Sequence, residues 1–314
     1  MPNAPSLDEV LSYFETLSNW GRWGADDQLG AINLISPAKR REAAALVTEG
    51  ITVSCAWDIN SVTAHDPSYR RPQRIMLGTG EDLQDPATGD RWGFAWEFLG
   101  LIYHGFAVTH LDSLAHVFWD KKMYNGVPAE HVASEKGAQD YAISVLGQGV
   151  NSRGVLLDVA ATKGKDWLDA DETVFPEDLE AAEQRQGVQV SEGDILLLRT
   201  GHARKRRVPK DQRGDESGIP SWQAACLPWL HARGVAMIGS DTANDVAPQQ
   251  YEGMENPVHL VGVTAMGLWL IDNCDLEALH EACEAQQRWA FQLTIAPLRW
   301  LGATGCPVNP IAVF

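Results

Sequence analysis

Two short apolar runs constrain this chain most. Residues 154–160 (GVLLDVA) and 193–201 (GDILLLRTG) are continuously apolar over their centres. That is the pattern of strands buried on both faces. Between them, residues 176–187 (PEDLEAAEQRQG) predict a helix stopped by glycine. Further along, residues 221–234 and 275–287 predict helices, and residues 235–241 (VAMIGSD) a strand. Residues 256–273 (NPVHLVGVTAMGLWLIDN) read as strand-like with a glycine break, and residues 289–300 as a final strand.

The N-terminal third is less regular. Leu7, Val10, Leu11, Phe14 and Leu17 recur at helical spacing within residues 1–20. Ser36 as N-cap, Pro37 in the first turn and Gly50 as stop delimit a second helix. Residues 51–59 (ITVSCAWDI) predict a strand. Residues 64–92, rich in Pro, Gly, Asp and Arg, read as one long loop. Residues 94–108 (FAWEFLGLIYHGFAV) predict a strand or a bent pair of strands. Strands and helices alternate only in part, so the expected fold is mixed α/β, not a regular doubly wound sheet. The expected organisation is a single domain over residues 1–314, with residues 1–20 as an N-terminal helical arm.

Composition excludes several classes. The 314 residues are 45% hydrophobic, enough for a substantial core, and carry a formal net charge of −17. Such a chain repels nucleic acid and anionic membranes. No apolar run approaches the roughly 20 residues of a membrane span, and the acidic start lacks the pattern of a signal peptide. A soluble, cytoplasmic protein is expected. Cys55, Cys226, Cys274, Cys283 and Cys306 form no Cys-x-x-Cys pair, which fits reduced thiols. The basic stretch RKRRVPK, residues 204–210, reads as a solvated loop, with a localisation signal or an anionic partner as the alternative. Most of the twelve tryptophans are expected in the core.

The chemistry concentrates in residues 109–120, THLDSLAHVFWD. On a strand, His110 and Asp112 share a face about 7 Å apart along the backbone. Their heads can then converge on one cation, which helical spacing would forbid. His116 has the same parity, but the chain is expected to turn before it, placing it for proton transfer beside such a site. A plain hydrogen-bonded pair in a strand is the other reading of so short a pattern. Ser113 lacks the strained elbow of a serine nucleophile, and there is no P-loop, Gly-x-Ser-x-Gly or His-Glu-x-x-His motif. Phe106, Phe118 and Trp119 flank the motif and are the expected pocket residues. Asp241 and Asp245 either orient a ligand histidine or merely form a turn. His65 reads as a loop residue, and His131, His202, His231 and His280 as surface residues.

THLDSLAH resembles the signature of the metal-dependent cyclase superfamily, which includes bacterial kynurenine formamidases, isatin hydrolase and trans-dienelactone hydrolase. GDILLLRTG, RGVAMIGSDTANDVAP, VHLVGVTAMGLWLIDN and APLRWLGATGCPVNPIAVF resemble further family segments, in family order. WGADDQLGAINLI and DKKMYNG look like its longer, tryptophan-rich branch. The resemblance implies a mixed-sheet swivelling β/β/α fold, usually dimeric or tetrameric. It implies His110, Asp112 and His259 as metal ligands and His116 as the catalytic histidine. Asp272 stands where the family usually has a metal-binding Glu. The family's first ligand histidine falls at Phe106 here. Either a two-residue insertion lets His104 reach the metal, or that ligand is missing. The implied cofactor is zinc or manganese. The implied activity is hydrolysis of an amide or lactam C–N bond in a small aromatic or cyclic substrate. Lactone opening is the alternative, and a non-catalytic ligand-binding descendant a third reading.

Overall fold

The computed structural model describes residues 4–59, 71–84 and 92–314. Its strands are β1 (Thr52–Ser54), β2 (Gln73–Gly78), β3 (Trp96–Gly100), β4 (His110–Asp112), β5 (Val132–Ala133), β6 (Gly137–Ala138) and β7 (Val150–Asp158). After them come β8 (Ile195–Arg199), β9 (Met237–Ser240), β10 (Trp269–Asp272), β11 (Ala290–Ile295), β12 (Gly305–Pro307) and β13 (Ile311–Val313). The helices are α1 (Leu7–Thr16), α2 (Pro37–Ala45), α3 (Val159–Thr162), α4 (Pro176–Gln186), α5 (His202–Arg207), α6 (Cys226–Ala232), α7 (Pro257–Thr264) and α8 (Glu277–Gln286).

Nine strands form one mixed sheet in the order β1-β13-β11-β7-β8-β9-β10-β4-β12. β7 to β10 run parallel at its centre, and the flanking pairings are antiparallel. The two apolar runs are β7 and β8, and every residue of β8 is buried. Each buried Leu or Ile there contributes about 1.5–3 kcal/mol. α4 joins them and ends at Gly187, whose left-handed φ of 62° a side chain would disfavour. Arg199 closes β8 inside the fold, held by Asp158 and Glu277, while His280 sits 2.6 Å from Asp158.

Several expectations are corrected. The start of the 256–273 segment is the helix α7, not a strand. Seven of its eight residues are buried, including Val258, His259, Val261 and Val263. A helix buried all round has no polar face, so its period is invisible in sequence. The loop expected over residues 64–92 contains β2, which exists through its pairing with β3; His65 lies outside the described residues. Only the part of residues 94–108 at β3 is strand, and residues 104–107 form a turn. α2 is capped by Ser36 but ends at Ala45, before Gly50. RKRRVPK begins in the helix α5, where Arg204 and Arg207 pair with Asp166 and Asp275. Of the tryptophans only Trp222, Trp269 and Trp289 are buried; Trp92, Trp96 and Trp300 are more than half exposed. His202 is not a surface residue: burial lowers its pKa to about 3. Among the described residues no helix is long and apolar enough to cross a membrane.

Candidate metal centre

β4 is short, but its position decides the site. It lies between β10 and β12 and is antiparallel to both. The register sets His110 opposite Asp272, so His110, Asp112 and Asp272 share one face of the sheet. Leu111 points the other way and is fully buried. α7 brings His259 over this face. His259 Nε2 stands 3.4 Å from Asp112 and 3.5 Å from Asp272.

His104 arrives from the segment between β3 and β4. The turn at residues 104–107 absorbs the two-residue difference in spacing, and His104 Nδ1 comes within 2.8 Å of Asp112 Oδ1. Thr304 contacts its Nε2 at 3.1 Å, and Tyr103 donates to the Gly305 carbonyl at 2.8 Å. Gly305 leaves room for this approach. A Cβ there would lie 2.9 Å from His104 Cε1 and 2.7 Å from the Leu111 carbonyl oxygen. His116 follows a turn after β4, its backbone donating to Ser113. Its ring stacks on His104 at 3.8 Å and 2°. Its Nε2 lies 3.8 Å from Asp112 Oδ2.

Asp112 is thus ringed by four imidazoles and is 1% exposed. Both its oxygens, and His104 Nδ1, are buried without a hydrogen-bond partner among the described residues. The close His104 contact runs off the line of a hydrogen bond. An ionised carboxylate left in this state costs several kcal/mol. Burial works to raise the Asp112 pKa, but His110, His116, His104 and His259 outweigh it and hold the group well below the usual carboxylate range. Burial lowers His259, yet Asp272, Asp112 and Asp245 together pull it well above the ordinary histidine value. The surroundings therefore demand a positive charge.

The ring nitrogens are oriented so that a cation in place of a proton could meet that demand. His110 donates Nδ1–H to the Val108 carbonyl at 2.8 Å, leaving Nε2 facing Asp112 and Asp272. His259 donates Nδ1–H to Asp245 at 2.6 Å, leaving Nε2 facing the same pair. Such outer hydrogen bonds fix the tautomer of a metal-binding histidine. Among the described residues two ligand groups result, His104–Asp112–His116 and His110–Asp112–Asp272, each with donor atoms within 4.8 Å of one another. Nitrogen and carboxylate donors of this kind suit a divalent cation. The cysteines are all buried and free, and none belongs to either group.

Of the two aspartates after β9, only Asp245 touches the site; Asp241 instead accepts from the Thr200 backbone and hydroxyl. Asn244 was not anticipated. It donates to Asp272 Oδ1 at 2.6 Å and accepts from Trp222. Its place between the two aspartates in SDTANDVAP was the one available signal. The cleft over the site has a volume of about 560 Å³ and is lined by Phe106, Val117, Val246 and Leu260 besides the polar residues. Phe118 is 41% exposed and is not among the lining residues. Trp119 stacks on Phe14 of α1 at 4.7 Å and belongs to the packing of that helix.

Comparison with known proteins agrees with this architecture. Residues 101–244 match the sequence model of the Cyclase family. A solved structure described as a novel cyclase is 31% identical, with a TM-score of 0.87, covering 96% of this chain and 99% of the other. Isatin hydrolase A from Ralstonia solanacearum shares the fold at 20% identity and a TM-score of 0.56, over 84% of this chain and 92% of the other. Isatin hydrolase A from Labrenzia aggregata does so at 18% and 0.55, over 86% and 94%. No curated protein sequence matches the chain. The likeness over nearly the whole length, joined to the His and Asp cluster on β4, β10 and α7, makes this chain a member of the cyclase family.

Proposed function

We propose that the protein is a metal-dependent hydrolase that opens an amide or lactam C–N bond of a small aromatic or cyclic substrate. The observation that carries the proposal is Asp112, buried among four imidazoles and without hydrogen bonds from the described residues. His110, Asp112, Asp272, His259 and His104 would hold a divalent cation, zinc or manganese. Such an ion supplies Lewis acidity toward a carbonyl and lowers the pKa of water toward neutrality.

The chain's own residues supply the rest. His116 opens onto the cleft, its side chain 30% exposed. Burial lowers its pKa to about 4, against the opposing pull of Asp112. At neutral pH the ring is therefore uncharged, with one nitrogen open to accept a proton and later return it to a leaving nitrogen or oxygen. Stacking on His104 holds the ring plane during that exchange. Phe106, Val117, Val246 and Leu260 supply apolar walls for a flat ring. The family likeness to isatin hydrolases favours C–N hydrolysis over lactone opening.

The test is to purify the protein, measure bound metal, and assay N-formylkynurenine, isatin and a dienelactone before and after chelation and metal add-back. Turnover that falls with chelation and is abolished in His110→Ala is expected. Retained metal without turnover on a broad amide and ester panel would instead favour a ligand-binding role. Absence of tight metal, with no loss in His110→Ala, refutes the proposal.

A further inference from the structure

The helix α5 carries four consecutive cations, Arg204, Lys205, Arg206 and Arg207. Arg204 pairs with Asp166 at the surface, and Lys205 donates to the Asp215 carbonyl. Arg206 and Arg207 do something else. Their guanidinium carbons lie 5.0 and 4.7 Å from the centre of the Trp57 ring. Neighbouring side chains on a helix point about 100° apart and their like charges repel. A solvated charge run would spread; these two meet because an indole lies between them. Trp57 Nε1 is buried and has no hydrogen-bond partner among the described residues. A buried indole usually pairs its N–H, so this ring serves by its face.

The clasped ring is tied to the metal centre. The Trp57 backbone donates to Thr109 Oγ1 at 3.0 Å, and Thr109 donates to the Asn273 carbonyl at 2.6 Å. These two residues adjoin His110 and Asp272. Arg207 pairs with Asp275, two residues beyond Asn273. Arg206 Nη1 donates to the Phe106 carbonyl at 3.3 Å, and Asn273 Nδ2 donates to the carbonyl of Gly105. Two successive carbonyls of the turn at residues 104–107 are thus held by side chains from other segments.

That turn needs holding. Gly105 has a φ of 134°, a conformation that glycine adopts freely and that has no preference of its own to fix it. On either side of it stand His104, beside Asp112 and stacked on His116, and Phe106, a wall of the cleft. Groups in such places must be held to within about 0.5 Å. We propose that Arg206 and Trp57 are positioning residues of the metal centre: their stack holds the 104–107 turn, and through it His104 and Phe106.

Arg206→Met keeps an unbranched stem but removes the stack and the hydrogen bond. Histidine NMR spectra of the metal-free protein report on the turn, because the His104 ring lies in the ring current of His116. The His104 signal, assigned by its loss in His104→Gln, is expected to move in Arg206→Met and to stay in Arg204→Met. Chelator competition is expected to show ~10-fold weaker metal binding in Arg206→Met. Trp57→Leu should behave likewise, whereas Trp57→Phe, which keeps an aromatic face, should bind metal within about threefold of wild type. The kinetic readout rests on the hydrolase reading: in excess metal, KM should rise more than kcat falls, because Phe106 lines the cleft. Should Arg206→Met not fold, Arg206→Lys takes its place with the same expected direction, since it keeps the charge without the planar fork. A wild type that binds no metal or turns over nothing defeats the hydrolase reading, while the His104 signal still decides the role of Arg206. An unmoved His104 signal overturns the proposal. So does metal affinity within twofold of wild type in Arg206→Met, or equal loss in Trp57→Phe and Trp57→Leu.

Discussion

Asp245 does two jobs, and replacing it separates them. Its Oδ1 accepts from the Val258 backbone at 2.8 Å and its Oδ2 from the His259 backbone at 3.0 Å, satisfying the open N-terminus of α7. The same Oδ2 accepts from His259 Nδ1 at 2.6 Å. The first job is a helix cap worth about 1 kcal/mol. The second is a charge-assisted hydrogen bond worth about 1.5–3 kcal/mol. Asp245→Asn keeps one acceptor oxygen but presents an amide where Oδ2 met two donors. About 2–3 kcal/mol of stability in the metal-free protein should be lost. Metal affinity should fall about 10–100-fold, because the His259 ring is no longer held with Nε2 toward Asp112 and Asp272. Competition against a chromophoric chelator gives the affinity, and urea unfolding in excess chelator gives the stability. In wild type, metal at 100 times its dissociation constant should add about 2.7 kcal/mol. A variant that loses stability yet binds metal within twofold of wild type would reduce Asp245 to a helix cap and refute its role at the site.

Gly305→Ala should displace His104, costing about 1–3 kcal/mol by overpacking and weakening metal binding; an unchanged chelator titration would show that His104 does not depend on this approach. Arg199→Met leaves Asp158 and Glu277 buried without their partner and should cost about 3–5 kcal/mol in urea unfolding, with activity per folded molecule retained. Asp241 gives a pH signature. Burial raises its pKa to about 6, against the Thr200 hydrogen bonds, so the folded state takes up its proton before the unfolded state does. Its stabilising contribution is full below the unfolded value near 4 and is lost as pH rises through about 6, a difference of roughly 3 kcal/mol. Asp241→Asn should remove that slope between pH 4 and 6, and identical pH profiles for variant and wild type would contradict it.

The elements that could be read beforehand are those whose pattern is local. β7 and β8 announce themselves as continuous apolar runs, α4 ends at the glycine that its left-handed terminus requires, and Ser36 caps α2 as its side chain dictates. α7 could not be read this way, because burial on every side erases the helical period. β2 could not either, since a lone strand owes its existence to a partner about 20 residues away.

The site divides along the same line. The sequence by itself determined that His110 and Asp112 share a face, because strand parity is a property of consecutive residues. The family resemblance pointed to His116 and His259. Only the tertiary structure decided how these groups meet. It laid Asp272 opposite His110 by strand register, turned His259 through Asp245, and used the bare backbone of Gly305 to admit His104. Register, helix placement and close approach are relations between distant segments, and no local pattern of residue types encodes them.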